Sequence, residues 1–514
     1  MENHMKQTST NCLCTAVSAL IMLSIQAETA DAAAKVTLNE AEFRDRVYAC
    51  WLGKNIGGTL GMPFEGKKEA NNITFFTNIK KGEPAANDDL DLQMLWLKAM
   101  QDHDAQVDTR ILGEYWLKHV PVDWNEYGVG KKNMKRGILP PLSGEFDNAK
   151  WKPSNGAWIR SEIWACLAPG SPGLAAKMAR EDACVDHGSA EGTLAEIFTA
   201  SIESAAFIES DRDKLIDIGL SMIPLDCGVA KAVHAAIDAK KAGKDWKEAR
   251  LDVIKASEST GWFQAPRNVA FTMVGWLYGD EDFGKSICIA VNCGDDTDCT
   301  GATLGSIFGI IHGTKGIPAN WTEPIGTGIK TVAISGFEHP KDLNALTDQT
   351  ITMMKKVQAK YDLPVVLGDK PSDLGKAGKL VLADTKTAKA LWALSPYKIV
   401  WNESDVQVIL DYIGDPVITA DAPRKIEVTI LNQGKKTAEY ALSLAGLPAG
   451  WKVEGVPSSP VKLKKGKAKL IPVSITAGNL EGGEYRMHIE AAGGSMPVRI
   501  PFTLVNSNKR TAGK

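Results

Sequence analysis

Between Gly294 and Gly309 the chain sets three carboxylates within four residues, Asp295, Asp296 and Asp298, directly before a helical pattern of small residues. One Asp satisfies the positive end of a helix. Three over-satisfy it and repel one another unless a cation intervenes. With no histidine nearby, this hard oxygen set favours Mg²⁺, Mn²⁺ or Ca²⁺ over zinc. An EF-hand loop is excluded: Asp296, Asp298, Thr300 and Gly301 suit its opening positions, but the place of its bidentate Glu holds Ile307. The small residues Gly301, Ala302, Gly305 and Gly309 predict a helix that packs closely on its neighbours.

A second acidic knot, Asn87-Asp88-Asp89-Leu90-Asp91, lies far upstream and also opens an apolar helix. Alone it would read as a surface turn. Two such knots, each leading into a buried helix, predict a two-sided cage, because paired ions ~3.5–4 Å apart need carboxylates from both sides. A third segment, Gly53 to Gly66, lacks the G-K-[ST] of a phosphate loop, which excludes an ATPase of that type. Its Gly53, Gly57 and Gly61 fall one helical turn apart and predict another tightly packed helix, with Glu65 in a turn beyond it.

From about Thr37 to about Asp362 the apolar residues recur at helical spacing, as in Leu194, Ile197, Phe198 and Ile202, and alternating strand patterns are scarce. This predicts a compact all-α domain. Beyond Asp362 a Gly/Lys/Asp-rich stretch reads as a linker, with one more helix near Thr385 to Leu394. From about Ile399 the period becomes two, and short runs at Val406, Lys425, Tyr440, Val461, Lys469, Tyr485 and Met496 repeat at intervals suited to an immunoglobulin-like sandwich. The boundaries read as 1–32 for an export signal, 33–365 for the helical domain, 366–398 for the linker and 399–507 for the sandwich.

The formal net charge of -3 and pI near 6.3 give no electrostatic support to nucleic-acid binding. Lys6, the apolar run from Leu13 to Ile25 and Ala30-Asp31-Ala32 read as a secretory signal. The expectation is a secreted or periplasmic protein with no membrane association once the signal is removed. Outside that signal seven cysteines remain, an odd number, mostly within apolar helical patterns where Cys acts as a small hydrophobe. Cys288, Cys293 and Cys299 lack the paired spacing of a structural zinc site.

Taken together, the Gly53–Gly66 segment and the two acidic knots resemble the ADP-ribosylglycohydrolase family over roughly Phe43 to Ile311. The resemblance implies an all-α fold with two Mg²⁺ ions, or Mn²⁺, between an early T-D-D-type and a late G-G-D-T-D-T-like motif. It also implies hydrolysis of the bond from an anomeric ribose carbon to a side chain or small acceptor. Asp88 and Asp89 match the early motif, and Asp296 and Asp298 the late one, as metal ligands. Glu65 matches the family's acidic residue after the first helix, and with Asp89 it is the expected catalytic pair. Asn155, Gly156 and Arg160 resemble the family's ligand-contacting loop, and His187 a residue facing the same cleft.

The pattern departs at three places. Asn87 stands for Ser or Thr, Leu90 for Thr, and Cys299 for a Thr whose hydroxyl coordinates metal. A neutral thiol is a poor Mg²⁺ ligand, so one metal position is either weak or filled by Asp295 or Thr300. The function expected is a metal-dependent glycosidic-bond hydrolase acting on ADP-ribosyl or related ribosyl conjugates. The alternatives are an exported glycosidase acting on a glycan or sugar conjugate with the same site, and an inactive sugar- or nucleotide-binding protein.

Overall fold

The computed structural model describes residues 35–257, 261–374, 380, 382–403, 405–493 and 497–509. The segment read as an export signal and part of the linker lie outside these residues. Helices dominate from Glu40–Gly61 to Leu343–Tyr361, and none among the described residues is long and apolar enough to cross a membrane. Many begin on an Asp or Asn whose side chain accepts from the first-turn N–H groups, as Asn39, Asp108, Asp211, Asp282 and Asp342 do.

The site is positioned by one helix pair, Glu40–Gly61 against Thr297–His312. A Cβ placed on Gly53 would stand 2.0 Å from Gly305 O, one on Gly57 2.0 Å from Gly301 O, and one on Gly61 2.1 Å from Thr297 O. Gly309 answers in turn, its Cβ position lying 2.2 Å from Ala49 O. The partners advance by one turn in opposite directions, so the helices are antiparallel and meet backbone to backbone. Glycine is required there because any side chain would fall inside the facing carbonyls. Thr297 Oγ1 then donates to Gly61 O at 2.8 Å, fixing the end of the first helix against the start of the second.

The helical region also carries a short parallel ribbon, Val36–Asn39 paired with Val365–Gly368. Four residues per strand are too few for a period-two signal, and the second strand falls mostly where a linker was expected. The helix expected near Thr385 is present as Thr385–Trp392. All seven cysteines among the described residues are free and buried.

The C-terminal region forms two five-stranded sheets in a sandwich-like arrangement. One runs in the order Lys398–Glu403, Val406–Asp411, Arg424–Asn432, Ala468–Thr476 and Lys452–Glu454. The other runs Val417–Ile418, Val498–Asn506, Glu484–Gly493, Ala438–Ala445 and Val461–Leu463. Alternation decides which side chains face inward: Val406, Val408 and Leu410 are buried between less buried neighbours. Ile138, Leu142 and Phe146 of the helical region complete this core.

Candidate active site

The two acidic knots, distant in sequence, meet at the N-termini of Asp88–Asp102 and Thr297–His312. Two groups of side chains converge there. Glu65, Asp296 and Asp298 form one, and Asp89, Asp298 and Cys299 the other, with the ligand atoms of each group within 4.8 Å of one another. Asp298 belongs to both. Asp88 lies beside them, its Oδ2 accepting from Tyr127 Oη at 2.8 Å.

Asn87, the first departure from the family pattern, ties the knots together. Its Oδ1 accepts from Asp89 N at 2.9 Å as a helix cap, and its Nδ2 donates to Asp298 Oδ2 at 3.3 Å. Asn155 performs the same service from the loop side, with Nδ2 donating to Asp296 Oδ2 at 2.7 Å. Trp158 Nε1 donates to Asn155 Oδ1 at 3.0 Å and holds that amide in place.

The remaining loop residues lie behind this contact. Arg160 is fully buried; it donates to Asp182 Oδ1 at 2.9 Å, Asp186 Oδ1 at 2.7 Å and Gly156 O at 2.5 Å, and packs over the Trp116 ring. His187 is likewise buried, with Nδ1 2.8 Å from Asp186 Oδ1 and Nε2 3.3 Å from Ser154 Oγ. Gly156 packs on Glu126, whose Oε1 stands 1.9 Å from where a Cβ would be. Of the four residues expected to touch substrate, only Asn155 therefore reaches the acid cluster. Gly156, Arg160 and His187 form the frame that holds the loop.

The acidic trios divide in a way their sequence does not show. Asp91 turns away from the cluster and accepts from Val332 N at 2.7 Å and Ala333 N at 2.6 Å, fixing a surface loop. Asp295, at φ 63°, sends its carboxylate to Arg267 Nη1 at 3.2 Å, and Thr300 Oγ1 donates to Thr297 O at 3.1 Å. Neither takes the place of Cys299. Cys299 Sγ itself lies 3.1 Å from Asp296 Oδ2 and 3.7 Å from Asp89 Oδ2. Asp295 still shapes the site, because its carbonyl accepts from Gly66 N at 2.8 Å and holds the turn carrying Glu65.

Lys54 is a functional candidate that the sequence conceals. Buried among the helix-pair glycines, its Nζ reaches Glu162 Oε1 at 2.6 Å and lies 3.8 Å from Asp89 Oδ1. Gln93 Nε2 donates to the other Glu162 oxygen at 2.5 Å. The available signal was a lysine in the largely apolar, glycine-stepped stretch from Ala49 to Gly61. Tyr127 had no comparable signal.

The electrostatics suit a site that could hold a cation. Burial pushes the carboxyls of Asp89 and Asp296 well above the usual range, and the neighbouring acids add to the shift. Burial, then Asp88, lifts Asp298 to about 6. Glu65 is exposed at the mouth, yet desolvation on its inner side and the charges of Asp298 and Asp88 raise it to about 7. Asp89 Oδ1 and Asp298 Oδ1 are buried with no hydrogen-bond partner among the described residues. Such carboxylate oxygens, crowded by neighbouring acids and offset at Asp89 only by Lys54 at 3.8 Å, fit a divalent cation, which would neutralise both costs at once.

An all-helical body closing on such a cluster forms a candidate metal centre, and the family match assigns it to the glycosylase class of hydrolases. Residues 39–359, more than half of the chain, match the family model of the ADP-ribosylglycohydrolases, and the chain belongs to that family. Among solved structures, one described as an ADP-ribosylglycohydrolase-related protein complex is 17% identical with a TM-score of 0.41, covering 62% of this chain and 99% of its own. A FixG-related protein from Vibrio parahaemolyticus is 16% identical with a TM-score of 0.17, covering 20% of this chain and 94% of its own. No curated protein matches this chain.

Proposed function

We propose that this enzyme hydrolyses the bond between the anomeric carbon of an ADP-ribosyl, or related ribosyl, group and its acceptor, with two divalent ions held by Asp88, Asp89, Asp296 and Asp298. The observation that carries the reading is the meeting of both knots on Asp298, whose Oδ1 is buried with no hydrogen-bond partner among the described residues. When bound, Mg²⁺ or Mn²⁺ would supply Lewis-acid polarisation and neutralise developing negative charge. The protein's own side chains do the rest. Asn87 and Asn155 hold Asp298 and Asp296 in fixed rotamers. Lys54, braced by Glu162 and Gln93, offsets the charge of Asp89. Glu65, at the solvent edge and within 4.8 Å of Asp296 and Asp298, is placed to take a proton from the attacking water.

Asp296→Ala removes an oxygen ligand from the crowded end of the cluster while leaving the glycine helix pair untouched. It is expected to abolish turnover while the circular dichroism spectrum is kept; near-normal activity would overturn the site. The substrate class is read from melting temperature, because a ligand of the native state raises it by mass action. A rise with Mg²⁺ and a further rise with ADP-ribose is expected. A rise with Mg²⁺ alone would refute the ADP-ribosyl reading and favour a glycan or other sugar conjugate.

A further inference from the structure

The two ligand groups that share Asp298 differ in chemistry. Glu65, Asp296 and Asp298 offer only oxygen, and Glu65 opens to solvent. Asp89, Asp298 and Cys299 are all buried, and one of the three donors is sulfur. Neither Asp295, engaged by Arg267, nor Thr300, engaged by a backbone carbonyl, replaces the sulfur, which lies 3.1 Å from Asp296 Oδ2. A second observation points to a ligand at the same spot: among the described residues Asp298 Oδ1 is buried without a hydrogen-bond partner, and Asp89 Oδ1 accepts no hydrogen bond, with Lys54 Nζ 3.8 Å away. Mg²⁺ demands a near-octahedral shell of oxygen, whereas sulfur beside carboxylates suits borderline ions such as Zn²⁺, Co²⁺ and Fe²⁺.

We propose that the metal centre is asymmetric: the buried Asp89–Asp298–Cys299 position selects a thiophilic divalent transition ion, and the outer Glu65–Asp296–Asp298 position takes Mg²⁺ or Mn²⁺. Asp298 serves both ions. This rests on the metal-dependent reading above and changes which ion the inner position holds. When such an ion is bound, Cys299 would hold it through sulfur, its S–H proton being released to bulk water. Lys54, 3.8 Å from Asp89 Oδ1 and ion-paired to Glu162, supplies a fixed cation beside the inner position. That charge opposes any divalent ion there equally, and the negative charge of a thiolate would offset it.

The test uses the metal-free full chain, titrated with Co²⁺ in saturating Mg²⁺ while absorption and heat are recorded. The expected result is one Co²⁺ per chain with a sulfur-to-cobalt charge-transfer band in the near ultraviolet. Cys299→Thr should lose the band, and its inner-position preference for Co²⁺ over Mg²⁺ should fall by about tenfold or more, since losing even an outer-shell partner costs ~10–100-fold. Glu65→Gln should keep the band while weakening Mg²⁺ binding. The wild-type spectrum carries the test even if a variant folds poorly. Binding of two ions with no sulfur band would overturn the asymmetry and leave the hydrolase reading standing. Failure to bind any divalent ion would overturn both.

Discussion

Ser154 has one hydroxyl proton and three partners in reach, Trp151 O at 2.5 Å, Glu126 Oε2 at 2.9 Å and His187 Nε2 at 3.3 Å, the first two of them acceptors when Glu126 is ionised. The conflict disappears if Glu126 is protonated: its O–H then donates to Ser154 Oγ, which donates onward to Trp151 O. Burial first, and then the nearby Asp186 charge, raise Glu126 to about 8, in accord with that arrangement. Because its folded pKa lies above the unfolded value, the native state holds a proton that the unfolded chain has released. This contribution to stability is complete below the unfolded carboxyl pKa and is lost as pH rises through about 8. Glu126→Gln should match the parent at pH ~5 and exceed it at pH ~9, with a flatter profile between. Urea midpoints across that window test this; parallel profiles for the two proteins would refute it. The sequence revealed that acids gather here but not which ones face the cage. That depends on helix rotation, which turns Asp91 outward from Asp89, and on one left-handed residue, Asp295, which swings its carboxylate to Arg267.

At the level of elements, the steps of four between glycines are what the sequence showed best. Gly53, Gly57 and Gly61 in one segment and Gly301, Gly305 and Gly309 in the other each predicted a close-packed helix. Their partnership is not legible in the sequence, because spacing tells how near a helix can approach and not what it approaches. The β-region was legible for the same kind of reason, since its longer strands alternate, whereas Val417–Ile418 and Lys452–Glu454 are too short to show a period. Gly57→Ala would place a Cβ 2.0 Å from Gly301 O, with rigid backbone on both sides and no flexible side chain to move aside. Overpacking typically costs ~1–3 kcal/mol, and this contact should reach or exceed the upper end. The helix ends would part where Gly61 meets Thr297, so metal affinity should fall together with stability. Gly328→Ala, with nothing within 4 Å of its Cβ position, is the control and should change neither. Equal melting temperatures for the two variants would show that the helix pair can yield.

Across the whole molecule, the sandwich reaches the acid cluster through a short path of buried contacts. Ile138, Leu142 and Phe146 are fully buried in its core, and Thr503 Oγ1 donates to Arg136 O at 2.6 Å. Glu484 pairs with Arg136 at the edge of the same junction. From that stretch Ser143 Oγ donates to Val185 O at 2.6 Å and Asn148 Nδ2 to Asp186 O at 2.7 Å. Asp186 clamps Arg160, Arg160 clamps Gly156 O, and Asn155 beside it holds Asp296. Deleting residues 399–514 would expose three large apolar side chains, each contributing about 1.5–3 kcal/mol when buried, and loosen the first link of this path. The truncated chain should melt well below the full one and bind Mg²⁺ more weakly, because Asn155 loses the frame that fixes it on Asp296. Calorimetry and Mg²⁺ titration of both forms separate the cases. A truncated chain with unchanged melting and metal affinity would make the sandwich a passenger; a joint fall in both would make it a support of the site.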